Sequence, residues 1–180
     1  MCKQLTILKI LPLYFFSKLS IKIKKKVRET DSKKYRKLGN EHFKSGEYMQ
    51  ALKSYKNALK SDQKSIVLHS NVALTYFKLG KFEKCLEICA LGLELDEKNC
   101  KLLYRRALAF LEVGKKFKAQ KDLTNCLWFD SNCIEAKLKL AEILENLEDN
   151  ERIFVKEFSN TQFENESLDN CHEIMFDIVN

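Results

Sequence analysis

Five polar residues in the middle of this 180-residue chain stand at spacings that would let them act on one ligand. Arg36 and Asn40 are four apart, Lys101 and Arg105 are four apart, and Asn71 lies between the pairs. On a helix, residues i and i+4 share a face, so each pair would present two side chains in one direction. A guanidinium fork binds a carboxylate bidentately, a lysine adds a point charge, and an asparagine amide donates to or accepts from a backbone. Two amides and three cations together suit a group with two or more carboxylate oxygens close together. Lys78, on the helix expected to carry Asn71, would touch the same ligand farther from its end. Leu74 and Phe77 would offer an apolar side chain a pocket, although core packing is the simpler role for Phe77. Taken singly, each polar residue is most simply a solvated surface position. Only their joint spacing points further.

No other residues make a chemical set. His42, His69 and His172 are isolated, and no Gly-rich phosphate loop follows a strand. The expectation is therefore a chain that is not an enzyme and takes no cofactor. Cys85 and Cys89 are one helical turn apart, but a metal site would need two further ligands nearby, so none is expected. Seven cysteines without framework spacing read as small core residues in a reducing compartment, which implies the cytoplasm.

The elements that would position these residues repeat. Three copies of a 34-residue unit run without a gap over residues 32–65, 66–99 and 100–133. Gly39, Ala73 and Ala107 align, as do Gly46, Gly80 and Gly114. Ala51, Cys85 and Ala119 form another column, and Ala58, Gly92 and Cys126 a fourth. Small residues at fixed columns are what two closely crossing helices need. Copy one reads as helices over 33–44 and 48–61, turned at Ser45-Gly46-Glu47. Asp62, Asp96 and Asp130 would end each second helix. Lys116 stands where copies one and two carry Tyr48 and Phe82, which predicts a distorted third turn. A helix over 134–147 would cap the stack, with Ile134, Leu138, Ala141 and Leu144 on one apolar face.

The period and its small and large columns resemble the tetratricopeptide repeat over 102 residues. The proline that usually closes each repeat is replaced by Gln63, Glu97 and Ser131. The resemblance implies an all-α fold, an α-solenoid of three helix-turn-helix repeats plus a capping helix, with a groove lined by the first helix of each repeat. Within that family, Arg36, Asn40, Asn71, Lys101 and Arg105 fall on the columns of the two-carboxylate clamp of co-chaperones. That clamp holds the terminal Glu-Glu-Val-Asp of the seventy- and ninety-kilodalton heat-shock chaperones. The family more often carries Lys where this chain has Arg36, which keeps the charge and alters the hydrogen-bond geometry. The function so implied is a non-enzymatic adaptor whose partner is the C-terminal peptide of such a chaperone.

The flanks differ in charge. Residues 1–38 carry 12 basic and 2 acidic side chains, net +10, and residues 142–180 carry 2 basic and 11 acidic, net −9. Domains are expected at 1–31, a basic and partly apolar extension; 32–148, the repeats and cap; and 149–180, an acidic tail with short helices over 152–158 and 168–179. Residues 5–23 approach the roughly 20 apolar residues of a membrane span only if Lys9 and Lys18 are tolerated. An N-terminal helix or arm against the first repeat is the simpler reading, and a signal anchor or a membrane-surface segment are the others. An anchored chain would resemble the mitochondrial outer-membrane import receptor that takes precursors from chaperones, facing the cytosol. No nucleic-acid partner is expected, because the basic run at residues 22–28 has no aromatic platform beside it.

Overall fold

A computed structural model describes residues 3–145, with side chains from Lys22 onward. The described residues form seven α-helices and no strand: α1 (Lys3–Lys44), α2 (Tyr48–Ser61), α3 (Ile66–Lys78), α4 (Phe82–Leu95), α5 (Cys100–Glu112), α6 (Lys116–Phe129) and α7 (Ile134–Glu145). The chain divides into two compact units, Met1–Leu68 and His69–Asn180. In the first, α2 packs back along α1. In the second, α4 packs on α5, α5 on α6 and α6 on α7. The short cap extension to residue 147 and the two helices expected over 152–158 and 168–179 lie outside the described residues.

Each hairpin turns on a left-handed glycine, with φ +77° at Gly46, +68° at Gly80 and +73° at Gly114. The bonds are the same each time. Gly46 N–H donates to the Phe43 carbonyl and Glu47 N–H to the His42 carbonyl, at 3.1 and 2.9 Å. Gly80 and Lys81 repeat this onto Phe77 and Tyr76, and Gly114 and Lys115 onto Leu111 and Phe110. This is the paired closure that a glycine just past a helix end makes possible. The third turn is therefore not distorted, contrary to the expectation drawn from Lys116. Aromatic pairs do support the first two turns, Phe43 on Tyr48 at 5.2 Å and Phe77 on Phe82 at 5.5 Å. Phe117 is exposed, and the same two backbone bonds close the third turn.

The small columns are buried where the helices approach. Ala51, Cys85, Ala119, Ala58, Cys126, Ala73 and Ala107 are all fully buried. A methyl group on Gly39 would stand 2.6 Å from the Tyr55 ring, and one on Gly92 would stand 2.6 Å from a Leu102 methyl. Asp62, Asp96 and Asp130 each stand at the C-cap of a second helix, as expected.

Two further expectations need correction. The helix that opens the first repeat begins at Lys3, not near residue 33. Between Leu13 and Ser32 there is neither Pro nor Gly, and Ser32 is buried rather than exposed at a helix start. Nothing interrupts helix propagation there. The capping helix also turns a different face inward: Ala136, Leu140 and Ile143 are buried, while Ile134 and Leu138 are 66% and 67% exposed. α7 carries two apolar stripes, and a pattern on the helix alone does not say which one meets α6. The small side chain of Ala136 belongs to the stripe that does.

Candidate functional site

In the first unit, Arg36 and Asn40 are exposed one turn apart on α1. Arg36 lines a shallow pocket with Glu29, Ser32, Lys33, Asp62, Ser65 and Leu68. Its surroundings thus hold two carboxylates and a second cation. Asn40 is oriented by α2: the Tyr55 hydroxyl donates to its Oδ1 at 2.8 Å. That leaves the amide N–H₂ of Asn40 as the group available for donation. The neighbouring Gly39 lets the Tyr55 ring lie close enough to reach. Sequence reasoning missed Tyr55 as a positioning residue, since it reads as one more large core residue.

In the second unit, Asn71 is half-buried on α3 and Lys78 exposed near the end of the same helix. The Asn71 backbone carbonyl accepts from Thr75 Oγ1 at 2.7 Å. Lys101 is exposed on α5 and Arg105 is half-buried one turn later. Arg105 reaches across to α3. Its Nη1 donates to the Ser70 carbonyl at 2.7 Å and also contacts Ser70 Oγ. The guanidinium is so held beside the residue that precedes Asn71. Within this unit Arg105 bonds Ser70, the residue before Asn71, and Lys101 stands one turn earlier on the same helix as Arg105.

Arg106, the next residue, points elsewhere. Its Nε and Nη2 donate to the two carboxylate oxygens of Asp122 on α6, each at 2.7 Å. Asp122 is buried, and this fork raises the Arg106 pKa further above its ordinary value despite partial burial. Two adjacent arginines thus take separate jobs, one tying α5 to α6 and one placed by α3.

The remaining candidates are packed. Phe77 lies edge-on against Phe82, His69 is buried on α3 beside Gly92, and the His42 ring pairs with Glu47 across the first turn at 2.6 Å. Cys85 and Cys89 are buried free thiols. A hydrogen bond from Cys89 lowers the Cys85 pKa, with burial opposing and the Arg105 charge assisting. The Cys89 thiol is pushed up by the same bond and by burial. Among the described residues no group of three His, Cys, Asp or Glu could hold a metal ion.

Two family models match the chain, one described as TPR repeat over residues 39–80 and one as tetratricopeptide repeat over residues 68–99. No curated protein sequence is similar enough to match. Solved structures are. The first TPR of Spaghetti (RPAP3), bound to the HSP90 peptide SRMEEVD, is 30% identical over 65% of this chain and 93% of its own, with a TM-score of 0.63. The second TPR domain of human RPAP3, in complex with the HSP70 peptide SGPTIEEVD, is 27% identical over 66% and 97%, at 0.59. The Sgt2 TPR domain from Aspergillus fumigatus is 25% identical over 67% and 82%, at 0.63. With its repeated glycine-turned helix pairs and buried small columns, the chain belongs to the tetratricopeptide repeat family.

Proposed function

We propose that this chain is a non-enzymatic adaptor that binds the acidic C-terminal peptide of a heat-shock chaperone of the seventy- or ninety-kilodalton class. To that peptide we assign Asn71, Lys101 and Arg105 of the second unit and, from their spacing in the sequence, Arg36 and Asn40 of the first. Lys78 meets an acidic side chain upstream. The observation that carries this reading is the fixing of Arg105 by Ser70 next to Asn71. A guanidinium already ordered by a carbonyl gives up less rotamer freedom when it meets a ligand. Two relatives in the same repeat family were solved with peptides ending in Glu-Glu-Val-Asp, which supports the choice of partner. A cytosolic site of action goes with it, since the five described cysteines are free thiols, as suits a reducing compartment.

Affinity should be modest. A charge-assisted hydrogen bond contributes about 1.5–3 kcal/mol net. Ordering a floppy tail opposes this by about 0.5–1.5 kcal/mol per side chain. The balance lies near micromolar, about −8 kcal/mol.

Calorimetry with SRMEEVD as free acid and as C-terminal amide tests the assignment. The free acid should bind at least tenfold more tightly than the amide, on the scale of one lost charged contact. Lys101→Ala should lose a similar factor with unchanged helicity. Equal binding of amide and acid would refute the clamp.

A further inference from the structure

α1 runs well past the helix it packs on. α2 folds back from the turn at residues 45–47, so its last residue, Ser61, comes level with about residue 31 of α1 in a helical hairpin. Burial changes at that point: Ser32 is buried, while every side chain from Lys22 to Asp31 is exposed. Five of the seven residues from 22 to 28 are cations, namely Lys22, Lys24, Lys25, Lys26 and Arg28, with no acid among them. The same unbroken helix carries, immediately before them, the sequence 5–23, which is apolar apart from Lys9, Lys18, Lys22 and a few small polar residues. Among the described residues no helix is long and apolar enough to cross a membrane.

We infer that the N-terminal part of α1 binds the surface of an anionic lipid bilayer. The apolar run 5–23 enters the headgroup boundary, and Lys22, Lys24, Lys25, Lys26 and Arg28 meet the lipid phosphates and carboxylates. The two features occupy adjacent stretches of one rod, as an interfacial anchor with a basic segment requires. Lys9 and Lys18 are compatible with this placement, because a lysine stem lies along apolar surroundings while its ammonium stays in water. A nucleic acid would use the cations and leave the apolar run without a role, and no aromatic side chain lies among residues 22–28 to stack a base. An acidic protein segment would leave the apolar run equally unused. Arg36, which the peptide reading needs, lies eight residues beyond Arg28, about 12 Å along the helix, so the two surfaces are separate.

The test is co-sedimentation of the full chain with phosphatidylcholine vesicles, with and without about 30 mol% phosphatidylserine. The chain should partition onto the anionic vesicles and much less onto the neutral ones. Each lysine near an anionic surface contributes roughly fivefold, so K24E/K25E should lower partitioning at least about 25-fold. Leu11→Asp with Phe15→Asp should lower it comparably. Lys24 and Lys25 are exposed, and neither pair of substitutions should change the melting temperature. Lys101→Ala should bind vesicles as well as the parent chain, which keeps this result independent of peptide binding. No partitioning, equal partitioning onto neutral vesicles, or a short single-stranded RNA that displaces the chain from anionic vesicles would each overturn the inference.

Discussion

Removing Arg105 and removing its neighbour Arg106 should produce opposite phenotypes. Arg106 holds the buried Asp122 through a two-bond fork at 2.7 Å per bond. Asp122 is 4% exposed and Arg106 26%. Truncating one partner of a buried pair typically costs about 3–5 kcal/mol, because the other charge is left behind. Arg106 keeps a quarter of its side chain in water, so some of that loss is recovered by solvent, and about 2–3 kcal/mol is expected for Arg106→Ala. In a chain of this size that corresponds to a fall of about 4–12 °C in melting temperature. Arg105→Ala removes charge-assisted bonds to the Ser70 carbonyl and hydroxyl, about 1.5–3 kcal/mol before water replaces part of them at this half-buried site, and both of these acceptors are neutral. Its melting temperature should therefore fall by less than that of Arg106→Ala, which strands a buried carboxylate. Peptide binding should show the reverse order. Arg105→Ala should weaken SRMEEVD at least tenfold, and Arg106→Ala should bind within about twofold of the parent when assayed well below its own transition. Circular dichroism melts and calorimetry at 15 °C below the lower transition, or about that, decide it. If Arg106→Ala melts with the parent protein, or loses the peptide as badly as Arg105→Ala while folded, the division of labour argued here is wrong.

Gly92→Ala should destabilise the second unit by about 1–3 kcal/mol, since its methyl would stand 2.6 Å from Leu102 and 3.1 Å from the His69 Cβ. Chemical denaturation should show a lower midpoint with an unchanged slope, and pairing it with Leu102→Ala should recover part of the loss. Stability should also fall with alkaline pH. The Cys89 and Cys126 thiols are raised in the folded state, chiefly by the bond to Cys85 for the first and by burial for the second. Their contribution is complete below the thiol's unfolded pKa, about 8.5, and is lost as pH rises above it, because the unfolded chain then gives up those protons first. Urea midpoints at about pH 7.5 and pH 9.5 should differ less in the Cys89→Ala/Cys126→Ala variant than in the parent, and an equal difference would count against the burial argument.

Much of the architecture was legible because it is local and repeated. Left-handed glycines close every hairpin with the same pair of backbone bonds, whatever aromatic residues flank them, so Gly46, Gly80 and Gly114 announced the turns. Asp62, Asp96 and Asp130 ended the helices where their residue type predicts, and the small columns marked the helix crossings. Of the candidate site, the pairing of Arg36 with Asn40 on α1 and of Lys101 with Arg105 on α5 was legible, since i and i+4 positions share a face on any helix.

The sequence by itself determined the period, the turns, the small-residue crossings and the charge of the two flanks, all properties that neighbours along the chain impose on one another. Tertiary packing decided the rest. Arg105 and Arg106 are adjacent and chemically identical; a step of about 100° around α5 sends one to Ser70 and the other to Asp122, and only the neighbouring helices make those ends different. The same holds for α7, whose two apolar stripes are equivalent until α6 covers one, and for Asn40, whose amide is turned by a hydroxyl fifteen residues away. A side chain's direction depends on what faces it, and what faces it lies on another turn of the fold.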